Sequence, residues 1–101
     1  MSITVSGYTE FVVYIASDGE QAYDYLVVRN TQLSNWNNPE SNAIASTRYD
    51  NNSGVPNSLD DYTRVSIPLD GGQNTIYFQY GKDRNTSSGT DKGYILIPKN
   101  Q

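Results

Sequence analysis

The chain contains neither cysteine nor histidine. Without cysteine there are no disulfides, no thiolate nucleophile and no cysteine-built zinc site. Without histidine, the usual general base at neutral pH and the commonest metal ligand are missing. Ser-His-Asp and Cys-His chemistry are therefore excluded. Basic residues are few, 7 against 11 acidic ones, and they form no run. A net charge of -4 and a pI near 4.4 oppose nucleic-acid binding, which needs a basic stripe for the phosphates. No window approaches the ~20 apolar residues of a helical membrane span. The opening M-S-I-T-V-S-G-Y has no basic stretch followed by an apolar one, so no signal peptide is expected.

What remains is 101 residues, enough for a single small domain spanning 1–101. Apolar residues make up a lean 36%, but nine tyrosines add buryable surface while keeping their hydroxyls wet. Short runs rich in β-branched and aromatic residues predict strands at Ile3–Ser6, Glu10–Ser17, Tyr23–Arg29, Tyr62–Leu69, Asn74–Tyr80 and Gly93–Ile97. Period two sets Phe11, Val13 and Ile15 inward, and likewise Val65, Ile67 and Leu69, and Ile76, Phe78 and Tyr80. Ser6-Gly7, Asp18-Gly19 and Asp70-Gly71-Gly72 supply turns, and the last is expected to close a hairpin. Residues 30–61 form a long polar excursion rich in Asn and Ser, with a short strand expected near Ala43–Arg48. A loop of that length in a compact domain points to function. The predicted fold is all-β: a single antiparallel β-sandwich, of jelly-roll type.

Four features carry candidate chemistry. In the loop from Asp83 to Asp91, the positions of Asp83, Asn85, Ser87, Gly89 and Asp91 alternate. Side-chain oxygens of Asp83, Asn85, Ser87 and Asp91 suit a calcium ion, the one cofactor for which the sequence offers a candidate site. The same residues suit Asx-turns that shape a long hairpin, and that reading carries the greater weight. Asp24, on a strand, needs a partner, for which Lys82 or Arg64 are candidates; a metal or ligand contact is the rival reading. Trp36, flanked by Asn35 and Asn37, is either an anchor that folds back on the sandwich or a contact residue. As a contact it would form, with Tyr49 and Tyr8, a saccharide platform or a protein-interface hot spot. Asp60-Asp61 would point to opposite faces of a strand. Glycosidases need two carboxylates facing one another across ~5–9 Å, so no catalytic pair is read there and no enzyme is expected.

The order Tyr23-Asp24-Tyr25-Leu26, then Leu69-x-Gly71-Gly72, Thr75-Ile76-x-Phe78-x-Tyr80, Lys82-Asp83 and Gly89-x-Asp91-x-Gly93-Tyr94-Ile95 resembles bacterial jelly-roll modules of the galactose-binding-like kind. It is also similar to proteins of gut Bacteroidetes and their phages. The resemblance covers most of the chain outside 30–61. It departs at Asn74, where the modules often carry His. It implies a jelly roll and a non-catalytic role, and names no ligand. Two functions follow as expectations. One is an accessory component of a phage virion (head decoration, tail or surface display), with other virion proteins or itself as partner. The other is a carbohydrate-binding module of a secreted or cell-surface bacterial protein, with glycans as partner. Nucleic acid and membrane are not expected partners.

Overall fold

The structure, a computed structural model, describes residues 1–19, 24–35, 38–49, 54–81 and 92–101. Its strands are β1 (Ser2–Ser6), β2 (Glu10–Asp18), β3 (Tyr25–Arg29), β4 (Ala45–Ser46), β5 (Thr63–Pro68), β6 (Gln73–Gly81) and β7 (Lys92–Leu96). A single 3₁₀ turn, Leu59–Asp61, precedes β5, and no α-helix is present among the described residues. One sheet has the order β1-β6-β3-β4 and the other β5-β2-β7, with every described pairing antiparallel. The expected β-sandwich is therefore present.

The inner faces follow the period-two reading. Phe11, Val13 and Ile15 of β2 meet Leu26 and Val28 of β3, Val65 and Ile67 of β5, and Ile76 and Phe78 of β6 in one core. Leu69 and Tyr80 are half-buried against it. β3 differs from the other strands, because all five of its residues are buried. Its second face, carrying Tyr25, Val27 and Arg29, lies under the excursion. A Tyr-Leu-Val-Val run is the sequence form of a strand covered on both sides.

The Asp70-Gly71-Gly72 turn does not close a hairpin. β5 pairs with β2, while β6 pairs with β1 and β3, so the turn carries the chain from one sheet to the other. Ser6-Gly7 does the same between β1 and β2. The two crossings run side by side and are hydrogen-bonded to each other. Gly7 N donates to Gly72 O at 3.2 Å, Gly71 N to Tyr8 O at 3.0 Å and Leu69 N to Thr9 O at 2.9 Å. One antiparallel ribbon, β1–β2 against β5–β6, thus folds over the core and contributes to both sheets. The sharp bend needs left-handed backbone at Gly7 (φ 83°) and Gly71 (φ 87°). Asp70 Oδ1 then accepts from Gly72 N and from Asn74 Nδ2, both at 2.9 Å. The Asn74 amide first, and the Gly72 amide second, hold the Asp70 carboxyl below the usual carboxylate range.

A Gly71→Val variant is expected to lose about 1–3 kcal/mol, because a β-branched residue is forced to positive φ. Thermal unfolding should show a midpoint lower by roughly 4–8 °C per kcal/mol. Acid adds a second test at this bend. A depressed carboxyl stabilises the fold above its unfolded pKa, and that contribution disappears as pH falls through the lower, folded value. Asp70→Ala should therefore lower the midpoint at neutral pH, with an effect that shrinks as acid protonates the carboxyl in the folded protein.

Candidate functional site

The excursion is fastened to the sandwich by side chains of β3 and β6. Arg29 is buried, and its guanidinium donates to Thr31 O at 3.2 Å, Pro39 O at 2.9 Å, Ser41 O, and Thr31 Oγ1 at 3.2 Å. The Gln79 amide clasps residue 33: Leu33 N donates to Oε1 at 3.0 Å, and Nε2 donates to Leu33 O at 3.5 Å. Two consecutive turns follow, with Ser41 N donating to Asn38 O and Ala43 N to Glu40 O, each at 3.0 Å. Asn38 and Asn42 take the left-handed backbone that Asn tolerates. These turns set Glu40 beside the residues that follow β4.

Thr47 is the pivot of that next segment. It is fully buried, its N–H donates to Leu26 O at 2.9 Å, and its Oγ1 accepts from Leu26 N at 3.0 Å. The hydroxyl also meets Ser17 Oγ at 2.7 Å, which ties β2 to β3. Continuing past Thr47, the chain presents Arg48 and Tyr49. The Arg48 guanidinium lies 5.4 Å from the centre of the Tyr25 ring and 5.2 Å from that of Tyr49. Glu40 Oε1 takes Arg48 Nη1 at 2.7 Å. The hydrogen bond to Glu40 is the main cause that raises the Arg48 pKa. Burial raises that of Tyr25, partly offset by the nearby Arg48 charge. Tyr25 is buried, whereas Tyr49 is 73% exposed. The result is an exposed tyrosine ring held against a guanidinium that is itself braced from two sides.

Of the expected contact residues, Tyr49 thus stands at the surface in a set position. Asn35 is exposed, and Trp36 and Asn37 lie outside the described residues. Tyr8 does not join Tyr49. Its ring stands edge-on to Phe11, with centroids 5.1 Å apart, at the bend beside Gly71. Tyr25, which carries the Arg48 stack, pairs with Gly81 at the other end of β6. At ~3.3 Å per strand residue the two places are roughly 25 Å apart. Asp83, Asn85, Ser87 and Asp91, with Lys82, also lie outside the described residues. The segment that holds them leaves β6 at Gly81, opposite Tyr25, and re-enters β7 at Lys92, opposite Asp18.

Asp18 and Asp24, both buried, sit at that end, and Asp18 Oδ1 accepts from Gly54 N at 2.9 Å. Arg64 stands exposed on β5, and the expected pair between it and Asp24 does not form. Asp60 and Asp61 fall in the 3₁₀ turn rather than on a strand. Asp61 Oδ2 caps the turn by accepting from Asn57 N at 2.8 Å and Ser58 N at 3.3 Å. No three acidic residues gather into a metal-sized group among the described residues. The Arg48–Glu40 latch and the Thr47 pivot were not readable in the sequence, because their partners come from separate segments. No protein-family model, curated protein or solved structure matches the chain.

Thr47→Val keeps the shape but leaves Leu26 N–H buried without an acceptor, a loss of about 1–3 kcal/mol. The thermal midpoint should fall accordingly. Amide exchange at Leu26 should accelerate more than at Val13, which lies in the core away from Thr47.

Proposed function

We propose that the chain is a non-catalytic interaction module that engages its partner through Tyr49, as an accessory component of a phage virion: a head decoration, a tail part or a surface display domain. The observation that carries this is a ring 73% exposed yet held in place by Arg48. An aromatic side chain already restrained in the unbound state loses little entropy on binding. Tyrosine and arginine are also the residue types that dominate interface hot spots. The virion setting rests on the resemblance of the chain's short motifs to those of phage and Bacteroidetes jelly-roll modules, with other virion proteins or a second copy as partner.

A second reading rests on the same ring. A flat aromatic face with a rigid backing suits stacking on a pyranose, and a carbohydrate-binding module of a secreted or cell-surface protein would use Tyr49 that way. Calcium at Asp83–Asp91 belongs to that reading as a structural ion.

Immunogold labelling of purified virions is expected to place the protein on the particle, and unlabelled particles would overturn the virion assignment. Tyr49→Ala should weaken binding to virions at least tenfold while shifting the thermal midpoint by no more than about 2 °C, as surface substitutions do. A glycan array probed with both forms separates the readings. Retention on a sugar that Tyr49→Ala abolishes would favour the module over the virion part.

A further inference from the structure

At the bent end of the sandwich, remote from Tyr49, an open groove of about 350 Å³ lies between the two sheets. That volume is at the lower end of the ~300–1,000 Å³ range in which protein clefts take ligands. Ile44, Ile67, Leu69 and Ile76 give it apolar walls, and Asp70 and Asn74 stand at its rim. No lysine or arginine among the described residues lines it. Asp70 uses Oδ1 to hold the bend, and no described cation pairs with its carboxylate. The groove therefore offers an apolar slot that ends in an uncompensated negative charge.

The complement lies on another face of the same chain. After β7, Leu96 and Ile97 are 39% and 40% exposed, and Lys99 is exposed and forms no ion pair among the described residues. The segment is held in shape from beyond, because the Gln101 side chain bonds both the N–H and the carbonyl of Val12 as well as Pro98 O. β7 and β5 flank β2 on opposite sides, so segment and groove face different neighbours. We propose that the Leu96-Ile97-Pro98-Lys99 segment of a second copy docks in this groove, with Ile97 against Ile44 and Leu69 and Lys99 paired to Asp70. The contact joins two different surfaces, so it is heterologous and builds rings or filaments rather than a two-fold dimer. With each copy at net charge -4, long-range repulsion opposes association, and the apolar contact with its one opposite-charge pair selects the register.

The inference goes beyond the Tyr49 reading and uses none of its residues. Sedimentation velocity of the whole chain from micromolar to millimolar concentration tests it. The sedimentation coefficient is expected to rise with concentration. Lys99→Glu, an exposed change that leaves the core untouched, should weaken association at least tenfold. Asp70→Asn should do the same while keeping an acceptor oxygen at the bend. Tyr49→Ala should leave association unchanged. A wild-type chain that stays monomeric across the range, or single variants that associate as well as wild type, would overturn the proposal without touching the role given to Tyr49.

Discussion

The architecture depends on two chain crossings made together. A strand that leaves one sheet for the other normally strands its backbone groups at the bend, where neither ladder reaches them. Here the crossings satisfy one another, through the bonds between Gly7 and Gly72, Tyr8 and Gly71, and Thr9 and Leu69. The same pairing fixes the register of both sheets at once. Once Ser6 faces Gln73 in one sheet and Glu10 faces Pro68 in the other, every inward residue of four strands is assigned. A slip of one residue would turn all of them outward. Two glycines of positive φ are thus the local cost of a core specified over its whole length.

The polar excursion adds a layer rather than a loose loop. It lies on the outer face of β3 and β6 and buries Val27, which would otherwise face solvent on the sheet exterior. It contributes few apolar side chains of its own, Ile44 and Ala45 against the core among them, and hydrogen bonds to Arg29, Gln79 and Leu26 add to its hold. The cation–π stack of Arg48 is built on that layer. A surface ion pair such as Arg48–Glu40 contributes little to stability alone. Its role here is to hold the guanidinium between two rings.

Much of this was legible in the chain. Alternation located the core residues of β2, β5 and β6, and β-branched enrichment found each long strand to within two residues at either end. The Asp70-Gly71-Gly72 turn was misread because glycine reports only that positive φ is needed. Whether the chain then returns within its sheet or crosses to the other depends on where β1 and β2 lie, more than fifty residues earlier in the sequence. Thr47 gave no signal either. It is one hydroxyl residue among many in a polar stretch, and only the closeness of Leu26 and Ser17 gives it a role. Tyr49 could be named from its type and setting, but Arg48 beside it could not, since its second ring and its carboxylate come from β3 and from the turn at Glu40.

The two arginines that serve the excursion answer solvent conditions differently. Arg48 is held by a carboxylate in a partly exposed ion pair, which salt screens. Arg29 is held by three main-chain carbonyls and a hydroxyl, none of which carries a charge that salt could screen. Salt therefore loosens the presentation of Tyr49 before it detaches the layer beneath. The recognition surface and its foundation have separate sensitivities, and the first can be released while the second stays in place.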